Sequence, residues 1–384
     1  MAAVSLLVVL GQGGLCPIEA AGSQRPPNGR AMWIWYVSRS DGGNLAAIAA
    51  DARAAGVRTL IVKSADGVTL WSQFNRRLVS TFHANGLHVC AWQYVYGTHP
   101  VAEAAAGARA VRTGAECLII DAEKQYEGRY ASAQVYLHRL RAAVGHRYRL
   151  GLTSFPYVDY HPAFPYSVFL GSGGAQFDLP QMYWRDIGTS VDAVFRHTYA
   201  TNRIYHRPIV PLGQTDHGAP AGDIRRFRAL TVRYRAGGIS WWDFAWTVAS
   251  GLWPAIVGPF APAGDARRPG FRVLRRGNRG DDVVWLQEHL ASTVRGQRIS
   301  GLFGPQTAHN LRVFQLRRRL PATGRADRRT WRRLRRVRPV RVSWRAARVA
   351  GARSAPRSAS LPAVAYEIPQ LGSDHDPDPL RADP

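Results

Sequence analysis

The feature that most constrains the fold is a regular alternation of strand-like and helix-like segments between residues 32 and 246. Eight units of this kind in about 220 residues predict an α/β fold, a (β/α)8 TIM barrel, with a doubly wound open sheet as the alternative. Several predicted helices end at a glycine, as at Gly56, Gly86 and Gly114, which is typical of a helix C-terminus. Only the fifth helix is weakly indicated, because residues 162–174 are rich in proline and glycine. The predicted strands are Met32–Val37, Val57–Lys63, Leu87–Tyr96, Glu116–Asp121, Tyr148–Ser154, Phe177–Trp184, Pro208–Gln214 and Gly238–Trp246.

Two carboxylates end the fourth predicted strand, in the run Cys117-Leu118-Ile119-Ile120-Asp121-Ala122-Glu123. Positions i and i+2 of a strand point to the same face, so Asp121 and Glu123 project together, with Cα atoms roughly 6.5 to 7 Å apart. In a parallel barrel this strand end is the carboxyl-terminal mouth, where barrel enzymes carry their chemistry. Mutual repulsion of two such anions raises the pKa of one of them. The pair is therefore a candidate acid catalyst.

Other predicted strand ends bring polar and aromatic side chains to the same mouth. Asp243 is a third candidate catalytic carboxyl, at the end of the eighth strand. Inward positions on alternate strands of an eightfold barrel share a layer, so strands two, four, six and eight can meet. The candidate substrate-binding residues are Lys63, Gln93, Tyr96, Gln181, Tyr183, Trp184 and Trp241. Trp92, Tyr94 and Trp242 add flat apolar faces that suit sugar rings.

The formal net charge is +25, yet Lys63 and Lys124 are the only lysines among the 51 basic residues. This skew is more typical of arginine-rich coding bias than of a nucleic-acid-binding surface, and acidic wall polymers suit the charge equally well. A lysine kept at a barrel strand end suggests a specific role. We expect Lys63 to pair with Asp121 or Asp243, where a guanidinium does not fit.

The three cysteines predict no disulfide framework. Cys90 and Cys117 lie in apolar strand-like runs and are expected to be buried thiols that pack as small hydrophobic groups. The histidines show no metal-ligand spacing, and no serine lies in a nucleophile-elbow context. We therefore expect no metal and no cofactor.

The chain divides into five predicted segments. Residues 1–28 resemble a short signal peptide, 29–257 form the barrel, and 258–270 contain three prolines and predict a linker. Residues 271–335 form a compact helical block, in which Asp281 and Asp282, Gly304-Pro305 and Asp327 start the three helices. Residues 336–384 lose apolar periodicity and predict a disordered tail. We expect a monomer without a membrane span.

The helical block resembles the three-helix peptidoglycan-binding domain of many cell-wall hydrolases. The positions that carry the resemblance are Leu274 to Val283, Leu286-Gln287, Gly301 to Thr307, Phe314-Gln315 and Thr330-Trp331. It departs from that family in its 16 arginines against four acidic residues over 271–335, and in Gln297 to Ser300, where the family prefers an acidic residue. The resemblance implies a groove for wall peptide or sugar and a wall glycan as the partner.

Ile120-Asp121-Ala122-Glu123 resembles the Asp-x-Glu of the family 25 glycoside hydrolases, which are lysozyme-like barrels, and more distantly the chitinase-type barrels. The resemblance implies that Glu123 is the general acid and Asp121 its modulator. Family 25 also has an aspartate at the end of its first strand, and Trp33 to Ser38 contains none. The expected function is a secreted, wall-associated muramidase-like hydrolase. The alternative is a non-catalytic wall-binding protein with a degenerate barrel, and nucleic-acid binding is a third hypothesis.

Overall fold

In the computed structural model, which describes residues 27, 29–258 and 270–345, eight parallel strands close into a barrel. The strand order is β7-β6-β5-β4-β2-β1-β9-β8, and β3 is a short antiparallel partner of β2. Parallel bridges from Asp178 to Ile209 and from Gln181 to Leu212 connect the two ends of this order. The predicted barrel is therefore confirmed, and each of its eight strands overlaps a predicted one. The strands are β1 Gly29–Ile34, β2 Val57–Asp66, β3 Thr69–Leu70, β4 His88–Val95, β5 Cys117–Ala122, β6 Arg149–Ser154, β7 Phe177–Pro180, β8 Leu212–Gln214 and β9 Gly238–Trp242.

Helices cover the outside of the barrel, and side-chain caps fix where several of them begin. Asn44 accepts hydrogen bonds from the amides of Ala46 and Ala47, and Asn75 and Ser190 cap two further helices in the same way. The barrel helices are α1 Leu45–Ala54, α2 Arg76–Ala84, α3 Pro100–Arg112, α4 Tyr130–Val144, α5 Tyr166–Phe169, α6 Val191–Thr201, α7 Ala221–Arg233, α8 Phe244–Ala249 and α9 Trp253–Ile256. Short 3-10 turns span Val37–Arg39, Asp41–Gly43, Lys124–Tyr126 and Asn202–Tyr205.

The barrel interior has its own core, made by alternate residues of the strands. These inward side chains include Ala31, Ile61, Ile119, Phe177 and Leu212, all buried. The outward residues pack with the helices in a second, larger core. The interior is thus filled, and space for a ligand remains only at the ends of the strands.

Cys90 and Cys117 form a disulfide bond inside the barrel, so the prediction of two free buried thiols was wrong. They are register partners on the adjacent strands β4 and β5, and their Cα atoms lie 4.6 Å apart. Both side chains point inward from directly opposite positions, which brings the sulfurs together. Sequence reasoning gave each residue a strand but not the register between the strands.

The weakly predicted fifth helix, α5, is a single turn of four residues. Its neighbours α4 and α6 are full helices of 15 and 11 residues. The helical layer is therefore thin on this side of the barrel, and the C-terminal domain packs there.

The C-terminal domain consists of three helices, α10 Asp281–Ala291, α11 Pro305–Arg317 and α12 Arg328–Leu334. Gly304 precedes Pro305 at the start of α11, and Asp327 accepts a hydrogen bond from the Thr330 amide at 2.8 Å, so both predicted helix starts are confirmed. Phe303, Phe314 and Trp331 are fully buried and form its centre. Its apolar side chains belong to the same contiguous core as the outer face of the barrel.

A buried carboxylate, Asp281, connects the two domains. It was predicted to cap α10, but Gly280 takes that position and the Asp281 side chain points into the barrel. Its Oδ1 accepts hydrogen bonds from the hydroxyls of Tyr130 at 2.8 Å and Ser167 at 2.6 Å. Its Oδ2 accepts from the Ser167 amide and the Tyr205 hydroxyl, each at 2.7 Å. Four donors from three barrel segments therefore converge on one side chain of the small domain.

Further contacts extend this interface along α10 and the residues after α12. The indole of Trp285 donates to the carbonyl of Ile204 at 2.9 Å. Residues 336–345, predicted to be disordered, lie against α4 and α10, where the Trp344 ring packs on Tyr130 with centroids 4.6 Å apart. The side chain of Gln134 bonds to the backbone of Val342 and Trp344. The predicted leader, most of the predicted linker and residues 346–384 lie outside the described residues.

Within residues 29–258 and 270–345, every helix is too short or too polar to cross a membrane.

We predict that Asp281→Asn lowers the free energy of unfolding by about 2 to 3 kcal/mol, because the amide nitrogen then faces donors that lose their acceptor. Urea denaturation of the full chain measures the change. Asp51→Asn, at an exposed carboxylate of α1, is the matched control and should change it by less than about 0.5 kcal/mol. Equal stability of the two variants would show that these hydrogen bonds contribute nothing to folding.

Candidate active site

A pocket opens at the carboxyl ends of the barrel strands and contains the predicted carboxyl pair. The pocket is narrow, and the space in it for water-sized molecules is about 20 Å³. Half of the twelve lining residues are aromatic, and five others carry polar or charged side chains. The lining residues are Trp33, Trp35, Lys63, Trp92, Tyr94, Asp121, Glu123, Thr153, Gln181, Tyr183, Leu212 and Trp242.

Asp121 and Glu123 meet in this pocket, as their spacing on one strand face predicts. Asp121 is the inward residue near the end of β5 and is 4 % exposed, whereas Glu123 lies just beyond the strand and is partly exposed. The two carboxyls are hydrogen-bonded to each other. Gln181 donates to Glu123 Oε1 at 2.8 Å and, more weakly, to Asp121 Oδ1 at 3.4 Å. The Trp92 indole donates to Asp121 Oδ2 at 2.9 Å.

Burial is the main cause of a raised pKa at both carboxyls. The pKa of Asp121 lies well above its ordinary value, because desolvation and the nearby Glu123 both oppose its ionisation. Desolvation also raises the pKa of Glu123, while the hydrogen bonds from Gln181 and Asp121 and the charge of Lys63 oppose the rise. The pair therefore retains a proton at a pH where isolated carboxyls have lost theirs. Such a group can donate a proton to a leaving oxygen.

Lys63 is the cation of the pocket, although its ion-pair partner differs from the predicted one. Its side chain is 2 % exposed, and Nζ lies 3.1 Å from Asp66 Oδ2 and 4.1 Å from the centre of the Trp92 ring. Asp121 and Glu123 interact with its charge through space, but Asp243 does not. Tyr96 donates to Asp66 Oδ1 at 2.6 Å and so fixes the lysine's partner from the rim of the pocket. The lysine is held by a carboxylate and a ring, and its charge acts on the carboxyl pair.

Four tryptophans form the apolar wall of the pocket. Trp92 packs edge-on against Trp33 and Trp242, with ring centroids 5.3 and 5.1 Å away, and Trp35 lies 5.6 Å from Trp242. The indole nitrogens of Trp33 and Trp35 are buried and have no hydrogen-bond partner in the part of the chain that the structure describes. Two buried donors beside the pocket are therefore left without an acceptor among the described residues.

Four predicted substrate-binding residues do not line the pocket. Tyr96 instead bonds to Asp66, and the other three face the helices rather than the barrel interior. Gln93 is fully buried between β4 and α3, where its amide donates to the carbonyls of Gly67 and Glu103. Trp184 donates its indole proton to Asp223, and Trp241 packs against Phe227 of α7. The inward residue of β9 is Trp242, one position after the predicted one.

Asp243, the predicted third catalytic carboxyl, caps α8 by accepting a hydrogen bond from the Trp246 amide at 3.1 Å. It is 4 % exposed and does not line the pocket. Burial raises its pKa to about 7. Its position is that of a helix cap, and we do not place it among the reacting groups.

Sequence reasoning missed Trp33 and Trp35 as site residues, and missed Asp66 as the partner of the lysine. The signal for the tryptophans was present: Ala31, Trp33 and Trp35 alternate along β1 and its extension and so share the inward face. Asp66 gave no comparable signal, because it lies past the predicted end of its strand.

A second polar cluster lies beyond the end of β8. His217 Nδ1 lies 2.7 Å from Asp186 Oδ1, and this hydrogen bond raises the pKa of His217 to about 9. Gln214 donates to Asp186 and to the buried Asp216, whose pKa burial raises to about 6. Across residues 29–258 and 270–345 no three His, Cys, Asp or Glu side chains are placed to hold a metal ion.

These observations define a (β/α)8 barrel with a proton-sharing carboxyl pair at its mouth, joined to a three-helix domain. Residues 279–334 match the family described as "Putative peptidoglycan binding domain", so the chain carries a peptidoglycan-binding domain. No curated protein matches the chain.

Several solved structures are similar to a little more than half of this chain. An endo-beta-1,4-mannanase from Thermotoga petrophila is 9% identical over 56% of this chain and 68% of its own, with a TM-score of 0.42. The catalytic domain of a chitinase from Pyrococcus furiosus is 12% identical over 61% and 97%, with a TM-score of 0.44. A sugar phosphate isomerase/epimerase from Parabacteroides distasonis is 10% identical over 61% and 100%, with a TM-score of 0.41. At these values the similarity is one of fold alone.

We predict that Lys63→Met raises the pKa of both Asp121 and Glu123 by about one unit, because it removes the positive charge that favours their anions. Carboxyl carbon NMR titration of protein labelled at Asp and Glu measures both shifts. Lys124→Met removes the other lysine, which is exposed, and should move either pKa by less than about 0.3 unit. Equal shifts in the two variants would mean that Lys63 has no special effect on the pair.

Proposed function

We propose that the protein is a secreted, wall-associated glycoside hydrolase that cleaves peptidoglycan or a companion wall polysaccharide, with Glu123 as the general acid. The observation that carries this proposal is the proton-sharing pair Asp121 and Glu123 inside a tryptophan-walled pocket. Its support from outside the pocket is the peptidoglycan-binding domain in the same chain.

The roles of the two carboxyls follow from their exposure. Glu123 is the more exposed and can reach a glycosidic oxygen at the mouth of the pocket, whereas Asp121 lies deeper. Burial favours the protonated form of Glu123, and Asp121, whose pKa is raised further, can pass it a proton through their hydrogen bond. Gln181 orients Glu123 through its amide. A proton then passes from Glu123 to the leaving oxygen as the glycosidic bond breaks.

The second catalytic role cannot fall to Asp121 in the usual way. Two carboxyls that flank a glycosidic bond lie about 5 to 5.5 Å apart in retaining enzymes and about 6.5 to 9.5 Å apart in inverting ones. Asp121 and Glu123 are in hydrogen-bond contact, so no glycosidic bond fits between them. The electrophilic sugar carbon is instead attacked by water or by a group of the substrate itself, such as the 2-acetamido oxygen that peptidoglycan sugars carry.

We assign the barrel to a subgroup that is similar to family 25 but differs at its first strand. Where that family has an aspartate, this chain brings Trp33 and Trp35 into the pocket. Their indole nitrogens donate to sugar oxygens in our proposal, and their rings pack on sugar faces. The peptidoglycan-binding domain holds the protein on the wall, which raises the local concentration of substrate.

We predict that Glu123→Gln lowers the release of reducing ends from purified peptidoglycan at least about 100-fold, because the glutamine has no proton to donate. The control is Glu116→Gln, at a carboxylate near the opposite end of β5 that pairs with His83 and His88. It should retain activity within about twofold of the unmodified protein.

Three outcomes separate the hypotheses. Loss of activity in Glu123→Gln alone supports the catalytic assignment. No release of reducing ends by the unmodified protein, together with retention on insoluble wall, would replace it with a non-catalytic wall-binding function. Equal activity in the unmodified protein and Glu123→Gln would place the acid elsewhere.

A further inference from the structure

An arginine-rich cleft lies between the two domains, at the end of the barrel opposite to the carboxyl pair. The barrel contributes the connections α6–β8 and α7–β9, which reach the amino-terminal ends of β8 and β9, and the small domain contributes α12 and Phe271. Its empty volume, counted out to the open mouth, is about 1670 Å³. No acidic residue is among the described residues that line it. Its basic residues are Arg203, His206, Arg207, Arg235, Arg328, Arg332 and Arg335.

The positive charges in this cleft repel one another. Burial lowers the pKa of Arg203, and the charges of Arg328 and Arg332 lower it further. Burial and the charge of Arg203 bring the pKa of Arg335 to about 10. No carboxylate contributes to the shift at Arg335. Elsewhere the chain neutralises arginines: Arg226, for example, lies 2.6 Å from Asp192. Coding bias accounts for the large number of arginines in the chain. It does not account for the clustering of arginines from both domains in one cleft.

The cleft also presents donors without acceptors. The Nε atoms of Arg328 and Arg335 are buried and have no hydrogen-bond partner in the described part of the chain. The guanidinium groups of Arg203 and Arg335 each lie 5.4 Å from the centre of the Phe271 ring. The ring thus supports two guanidiniums at the boundary between the domains.

We propose that this cleft binds a phosphodiester-linked polymer chain of the cell wall, gripped by arginines from both domains. Guanidinium groups match phosphate oxygens with paired hydrogen bonds, and a row of phosphates offsets the repulsion among the arginines. A concave site between two domains admits a single chain. Phe271 is covered by guanidiniums and does not offer the open aromatic face on which the bases of single-stranded nucleic acid stack. The peptidoglycan-binding domain forms one wall of the cleft.

Binding of fluorescent poly(glycerol phosphate) to the full chain, measured by fluorescence polarisation over a range of salt, tests this proposal. The double variant Arg332→Gln/Arg335→Gln should bind at least about tenfold more weakly, and the slope of log affinity against log salt should fall by about 1.4. The matched control, Arg275→Gln/Arg276→Gln, removes the same charge from exposed positions of the same domain and should stay within about twofold. Arg332→Gln alone changes an exposed side chain, so it reports on binding even if the double variant unfolds.

Other outcomes overturn the proposal. Equal loss of affinity in the cleft and control variants would show that only total charge matters. Equal binding of uncharged polyglycerol would remove the phosphate requirement. Tighter binding of oligothymidylate with the same number of phosphates, lost in the cleft variant, would make the cleft a nucleic-acid site. None of these measurements depends on turnover by Glu123.

Discussion

The alternation of side chains along eight closed parallel strands is the constraint on which the site depends. Only every second residue faces the barrel interior, and the interior is already filled by a core that includes a disulfide. Side chains that meet a ligand can therefore lie only at the last inward positions of a strand. Asp121 occupies such a position on β5, and Trp242 on β9. The same rule that brings the acid pair together places its lysine and its tryptophan wall around it.

The sequence was sufficient for the elements of the barrel and for the meeting of the two carboxyls, since both follow from local patterns. Apolar runs and helix-stopping glycines depend on residues close together in the chain, and Asp121 and Glu123 are two positions apart on one strand. Prediction failed for the direction of several side chains, because a shift of one position along a strand moves a side chain to the opposite face. Trp241, Gln93 and Trp184 were assigned to the pocket although all three face the helices, and of the two neighbouring tryptophans only Trp242 points inward.

Other features depend on register or on contacts between distant segments, and no local pattern encodes them. The bond between Cys90 and Cys117 requires that two strands be aligned to the residue. The function of Asp281 required knowledge that Tyr130, Ser167 and Tyr205 surround it, and these residues are 151, 114 and 76 positions away in sequence. An aspartate at the start of a helix is usually predicted to cap it, and for Asp281 that prediction was wrong.

The docking of the small domain through Asp281 has a consequence for how the protein works on an extended polymer. A binding domain joined by a flexible linker lets a catalytic domain reach substrate throughout a volume around the binding point. Here the C-terminal domain packs on the barrel through the fully buried carboxylate of Asp281 and through a shared apolar core. The distance and direction from this domain to the candidate active site are therefore fixed. Under the proposed function, the pocket therefore acts on the polymer at one fixed spacing from the point where the protein binds it.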